Sequence, residues 1–175
     1  MPGKLGVTTT QRKTILRNLS SDLLWYGKIE TTLARAKELQ PYAEKIITLA
    51  VNNYTDTTSE EVTVKDAKGK ETKKKVFKDG PKKLAARRKI MALTHDITDA
   101  KLPTEKMSDY KKRVKGIKHP LVERLFNVLA PAYADRAEKL GQGGGYTRIY
   151  RLANRRGDDA EMAVIELVVD LPREN

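Results

Sequence analysis

Apolar residues recur at three- and four-residue intervals through Ile15, Leu16, Leu19, Leu23 and Tyr26, the spacing of one face of an α-helix. Thr8 and Gln11 stand three residues apart ahead of that stripe, a capping-box spacing that predicts the helix start, and Gly27 predicts its end. Lys28-Ile29-Glu30-Thr31 is short and β-branched enough for a strand. Thr31 or Thr32 then caps a second helix carrying Leu33, Ala36, Leu39, Ala43, Ile46, Ile47 and Ala50. Pro41 falls inside that helix and predicts either a kink or a helix that begins near Pro41, with Leu33–Gln40 as a separate turn.

From Asn52 to Gly80 the pattern changes to alternation, in Glu61-Val62-Thr63-Val64-Lys65 and Lys75-Val76-Phe77-Lys78, with Asp66-Ala67-Lys68-Gly69-Lys70 as the turn of a projecting hairpin. Asp79 or Gly80 before Pro81 signals a third helix over Lys82–His95, with Leu84, Arg88, Met91 and His95 at helical spacing. The stretch from Asp96 to Lys118 is polar, broken by Pro103 and Gly116, and has no definite structure in the pattern. Pro120 opens a fourth helix whose core face is Leu121, Leu125, Val128 and Leu129, and Pro131 ends it or bends it into a further turn through Ala132 to Leu140. After Gly141-Gln142-Gly143-Gly144-Gly145 the period becomes two. Tyr146–Leu152 alternates, and Met162–Val169 is nearly continuous, with Ala163, Ile165, Leu167 and Val169 on one face. The expected fold is therefore a single α+β domain over residues 1–175. It has two layers in the order helix, strand, three helices, two strands; the early strand joins the late pair, and a basic β-hairpin is inserted.

Charge changes this picture more than composition does. Thirty-five Lys and Arg against 23 Asp and Glu give +12, a surplus that must lie on the surface and that favours a polyanion. It is confined to four blocks: residues 1–18 carry +4, 65–90 carry +9, 106–118 carry +5 and 146–156 carry +4, while 157–175 carry −5. Lysine runs can serve solubility alone, but four separated blocks read as an electrostatic footprint. The apolar runs are too short for a spanning helix or a signal peptide, so no membrane partner is expected and the protein should be soluble and stay where it is made. There is no cysteine, and His95 and His119 are the only neutral nitrogen ligands, so structural zinc and other cofactors are not expected.

The glycine stretch lacks the surroundings of a nucleotide loop: a helix precedes it, a strand follows, and Tyr146-Thr147 stands where a lysine belongs. Its glycines supply turns and let a polyanion backbone come close. Tyr146-Thr147-Arg148-Ile149-Tyr150-Arg151 with Arg155-Arg156 pairs cations with aromatics. Arginine binds phosphate bidentately and stacks on bases, and tyrosine stacks or meets a 2′-hydroxyl, which suits irregular RNA; a solvated hairpin with its tyrosines in the core is the alternative. Three cations in a row, Arg87-Arg88-Lys89, cover more than one helix face, so at least one should meet a partner; the alternative is that all three are merely solvated. The expected RNA contacts are Lys4, Arg12, Lys13, Arg17, Lys73, Lys74, Lys75, Arg87, Arg88, Lys89, Lys111, Lys112, Arg113, Tyr146, Arg148, Arg151, Arg155 and Arg156. Catalytic groupings are poor. His95-Asp96 reads as a capping histidine beside a solvated carboxylate, and Asp158, Asp159 and Glu161 as a turn paired with the adjacent arginines. Trp25 is expected in core or rim packing.

Three stretches resemble the L-seventeen family of bacterial large-subunit ribosomal proteins. These are Lys28–Leu39 continuing to Ile46-Ile47-Thr48-Leu49-Ala50; Leu84-Ala85-Ala86-Arg87-Arg88; and Gly144–Ile149 with Arg155-Arg156-Gly157-Asp158 and Glu161–Val168. The resemblance implies a two-layer α+β fold, a non-enzymatic role in holding large-subunit ribosomal RNA beside neighbouring subunit proteins, and a cytoplasmic place near the nascent-peptide exit. No small-molecule substrate is implied. Relative to the family's compact form, Gly3-Lys4-Leu5-Gly6 replaces an Arg-rich start, and residues roughly 54–80 and 97–118 are insertions, with a few more at Glu138–Gln142. The two long basic insertions are expected to add RNA contacts. A metal-dependent RNA-processing enzyme and a non-ribosomal basic nucleic-acid-binding module are the competing readings; the first needs a convergent carboxylate or histidine cluster that the sequence does not offer.

Overall fold

The computed structural model describes residues 3–65 and 71–169, the stretches 61–65 and 71–76 by backbone alone. Helix α1 (Thr9–Tyr26) begins at a complete capping box: the Thr8 hydroxyl accepts from the Gln11 amide, and the Gln11 side chain accepts from the Thr8 amide at 3.2 Å. Gly27 ends it at φ 82°, a left-handed backbone that residues with a Cβ adopt at a cost, and its amide donates back to the Leu23 carbonyl. Strand β1 (Lys28–Thr32) leads directly into α2 (Leu33–Val51), a single helix through Pro41 with no separate first turn.

Three strands form the main sheet. Strand β5 (Met162–Leu167) lies between β1 and β4 (Thr147–Arg151), antiparallel to both, with Ile165 opposite Ile29 on one side and Ile149 on the other. The inward face of Thr31, Thr147, Ala163, Ile165 and Leu167 is buried under α1 and α2. On the outward face Lys28, Glu30, Arg148 and Tyr150 are exposed. Strands β2 (Thr57–Lys65) and β3 (Glu71–Asp79) pair antiparallel as a separate two-stranded ribbon, Thr57 opposite Asp79 and Lys65 opposite Glu71; the expected turn at residues 66–70 lies outside the described residues.

The helices depart from expectation in instructive ways. In α1 the buried stripe is Leu16, Ser20, Ser21, Leu23 and Leu24, while Tyr26, expected in the core, is 66% exposed. The stripe is rotated because both serines are satisfied internally, each hydroxyl donating to the Arg17 carbonyl at 2.9 Å; Ser21 also accepts from the His95 amide at 2.8 Å. Helix α3 (Pro81–Leu93) buries Lys83, Ala86 and Ile90 rather than the Leu84–Arg88–Met91–His95 face. The polar stretch after it contains a further helix, α4 (Met107–Val114), so the element order has more helices than the sequence pattern suggested.

Pro131 does not end the last helical run. Helix α5 (Pro120–Arg124) passes through one π-helical turn (Leu125–Leu129) into α6 (Ala130–Leu140). Proline has no amide and crowds the preceding turn, and the wider i→i+5 turn beside it makes room without breaking the run. The extra residue also rotates the buried face, so that Phe126, Ala130 and Tyr133 join Leu121, Leu125 and Leu129 in the core while Val128 is only half-buried. Trp25 sits half-buried at the rim, with the Arg124 guanidinium 5.2 Å from its ring centroid.

The rotated α1 stripe predicts opposite outcomes for two neighbouring positions. Leu24→Ala should cost about 2–5 kcal/mol, and Tyr26→Ala should stay within about 0.5 kcal/mol, both read from urea unfolding curves. Equal losses at the two positions would contradict the packing.

Candidate nucleic-acid interface

The cations of α3 divide into an inner and an outer set. The Asp56 carboxylate caps the helix from the root of the ribbon, accepting from the Lys82 amide at 2.8 Å and the Lys83 amide at 3.2 Å, while the Gly80 amide donates to the Asp56 carbonyl at 2.9 Å. A Cβ on Gly80 would overlap that carboxylate, so this junction requires glycine. One turn on, Arg87 donates to Asp79 at 2.7 Å and to Glu123 at 2.5 Å, Lys83 pairs with Asp79 at 3.2 Å, and both cations lie over the Phe126 ring. Burial alone lowers the pKa of Arg87, but the hydrogen bonds to Glu123 and Asp79 outweigh it and the net shift is upward. Arg87 is thus committed inside the protein, contrary to its expected role as an RNA contact, because it joins the ribbon root to α5. Arg88 and Lys89 point outward and form no ion pair with another described residue.

The N-terminal block joins this outer set. Arg17 donates to the Ala92 carbonyl in the last turn of α3 at 2.5 Å and so ties α1 to the end of that helix. Arg12 is held by Glu38 at 3.0 Å, whereas Lys4 and Lys13 are exposed. The side chains of Lys73, Lys74 and Lys75 lie outside the described residues.

At the sheet, the aromatic assignment changes. Tyr146 is 7% exposed, packed edge-on against Tyr133 with centroids 4.9 Å apart, and its carbonyl accepts from the Tyr133 hydroxyl at 2.7 Å. Burial pushes the Tyr133 phenol up to about 12. Tyr146 is therefore core, and the expectation that its ring meets RNA is corrected. Strand parity would put it on the open face with Arg148 and Tyr150, but it precedes β4 and follows Gly145 at φ 59°, and that left-handed turn re-aims it inward. The aromatic on the open face is Tyr150, 44% exposed, a residue of the Tyr146–Arg151 motif outside the expected contacts; its hydroxyl accepts from Arg148 at 3.3 Å. Alternation from the buried Thr147 was the signal that could have found it. Arg151 and Arg156 are exposed. Arg155 is paired with Asp158 at 2.5 Å, and that hydrogen bond holds the Asp158 carboxyl down to about 2.

In the segment 97–118 Lys111 and Lys112 are exposed, Lys112 lying 3.6 Å from Asp109, and Arg113 is bound to Asp99 and Glu105. Asp96 pairs with His119 at 2.9 Å rather than with its sequence neighbour His95. A depression of about 130 Å³ beside that pair is lined by Met91, Thr94, Asp96, His119 and Val122, well below the roughly 300 Å³ at which ligand pockets begin. Among the described residues no three His, Asp or Glu converge as metal ligands, and no helix is long and apolar enough to cross a membrane.

Residues 15–168 match the family described as Ribosomal protein L17. The chain is 39% identical to the large ribosomal subunit protein bL17 of Lachnospira eligens, 36% identical to that of Acetivibrio thermocellus and 37% identical to that of Limosilactobacillus reuteri. Each comparison covers 94% of this chain and 96–97% of the relative.

The Asp79–Arg87–Glu123 network predicts a pH dependence. Burial raises the Asp79 carboxyl, but hydrogen bonds from Arg87 and Lys83 exceed that effect and hold it below its ordinary value when folded. Its contribution is therefore present above the unfolded carboxylate pKa and is lost as pH falls through the folded one. Asp79→Asn should be less stable than wild type at neutral pH, and the gap should close as pH drops below about 4; a gap independent of pH would rule the network out as its source.

Proposed function

The chain belongs to the ribosomal protein L17 family, and on that premise we propose that it is a structural, non-enzymatic constituent of the bacterial large ribosomal subunit, in the cytoplasm, that holds large-subunit ribosomal RNA. The observation that carries the RNA reading is a set of unburied cations on two helices that Arg17 ties together, Lys13 on α1 and Arg88 and Lys89 on α3. Cations fixed on rigid helices release counterions from RNA phosphates without first losing much side-chain or backbone freedom.

Arg148, Arg151 and Arg156 extend the contact around the sheet, and Tyr150 offers an exposed ring on which an unpaired base can stack, the mode by which irregular RNA is recognised. Lys28, Glu166 and Arg148 alternate in sign across the three strands, which suits the open face to a boundary between RNA and a neighbouring subunit protein. A position near the nascent-peptide exit is supported by the family resemblance.

Sucrose-gradient sedimentation tests this reading. The wild-type chain should stay with the large subunit through a moderate-salt wash. The variant Lys13→Glu/Arg88→Glu/Lys89→Glu should be retained at least about tenfold less well, about 1.4 kcal/mol of affinity, with its melting temperature unchanged because all three side chains are exposed. A wild-type chain that washes into the soluble fraction would contradict the ribosomal assignment.

A further inference from the structure

The second insertion has the construction of a preformed arm. At its root the Asp96 carboxylate meets the His119 ring at 2.9 Å and accepts from the Leu121 amide at 3.4 Å, so the two ends of the segment 97–118 are closed together where α3 ends and α5 begins. Further out Arg113 acts as a staple. Its guanidinium donates to Asp99 at 2.9 Å, to the Ala100 carbonyl at 3.1 Å and to both oxygens of Glu105 at 3.2 Å, and it lies 5.6 Å from the centre of the Tyr110 ring. The Tyr110 hydroxyl donates to the Asp99 carbonyl at 3.0 Å. A planar fork with five donors is suited to gathering four acceptors in this way, and an ammonium group is not.

This staple has an electrostatic consequence. Residues 97–118 contain seven cations and three carboxylates. Arg113 takes up Asp99 and Glu105, and Asp109 lies beside Lys112, so Lys101, Lys106, Lys111, Lys115 and Lys118 form no ion pair among the described residues. At about 100° per residue, Tyr110, Arg113 and Val114 fall on one side of α4, and Lys111, Lys112 and the following Lys115 on the other. None of the residues of α4 is buried. The segment is too polar to add to the core, yet it is ordered by side-chain bonds that a purely solvating loop would not require.

We propose that residues 97–118 form a clamp for the phosphodiester backbone of folded RNA, in which Lys111, Lys112, Lys115 and Lys118 meet phosphates and Arg113 is a positioning residue that touches no RNA. The proposal rests on the ribosomal RNA-binding reading and assigns part of that binding to this segment. Exposed Leu102, Met107 and Ile117 make a protein partner the competing occupant. The lysine face favours RNA because its charge is left unneutralised by a staple that uses up the two nearest acids.

The test is a salt titration of full-length protein binding to a large-subunit ribosomal RNA transcript. For the variant Lys111→Gln/Lys112→Gln/Lys115→Gln/Lys118→Gln, the plot of log affinity against log salt should become shallower by about 3 and affinity should fall roughly tenfold or more at moderate salt. Arg113→Lys keeps the charge and loses the fork; it should bind more weakly with the wild-type slope. An unchanged slope in the lysine variant overturns the clamp, and wild-type affinity in Arg113→Lys overturns the positioning role. If the wild-type chain itself fails to bind the transcript, the broader RNA-binding reading is what fails.

Discussion

Ala36, Ala43 and Ala50 recur every seven residues along α2, with Leu39 and Ile46 between them, and all five are fully buried. Small side chains at this interval let the helix axis come close to its neighbours, and the rest of the fold is arranged around that approach. Helix α2 touches α1, α3, α6, the π-helical turn and all three strands of the main sheet. Its Glu44 carboxylate also accepts from the Thr147 amide and hydroxyl, at 3.3 and 2.9 Å, so the same helix anchors the start of the outer strand β4. Enlarging an alanine of this seam would push apart the sheet and the helices that carry the cations, so the placement of those cations depends on apolar packing in the interior.

Cations in this protein serve two purposes, some held by partners within the chain and others turned to solvent. Arg12, Arg17, Arg87, Arg113 and Arg155 all donate to carboxylates or carbonyls of the chain, whereas Lys4, Lys13, Lys89 and Lys111 extend into solvent. A guanidinium joins two elements through several directed bonds, while an ammonium on a flexible stem is a mobile point charge suited to a phosphate surface. The division is not by residue type alone: Arg35, Arg88, Arg148, Arg151 and Arg156 are exposed, and Lys83 is buried against Asp79. Net charge therefore overstates the number of cations available to a partner, and burial and pairing identify which ones those are.

The sequence was most legible where local chemistry decides the outcome. The Thr8–Gln11 capping box, the Gly27 stop and the inward face of β5 each depend on residues a few positions apart. Misreadings came from polar residues that tertiary partners bury. Ser20 and Ser21 look solvent-facing until their hydroxyls are seen bonded to Arg17, and Arg87 looks like a ligand until Asp79 and Glu123 are placed beside it. Tyr146 was misassigned because one left-handed residue reverses strand parity, and the π-helical turn was invisible because no periodic template contains it. The candidate site was readable as four blocks of charge but not as individual contacts, since which arginines are spent internally is a long-range property.

Three of those blocks, residues 1–18, 65–90 and 106–118, are connected through α3. Its first turn is fixed by Asp56 from the ribbon root, its middle by Asp79 and Glu123 through Arg87, and its end by Arg17 and by the Tyr42 hydroxyl, which donates to the Leu93 carbonyl at 2.8 Å. The two-stranded ribbon enters at one end of this helix and the segment 97–118 leaves from the other, closed by the Asp96–His119 contact. A helix of 13 residues spans about 20 Å, so the ribbon, the segment 97–118 and the N-terminal helix are joined to one short element held at three points. Loosening any of the three would let the basic segments move relative to one another, and binding to a folded RNA would then have to supply the ordering that α3 now provides before contact.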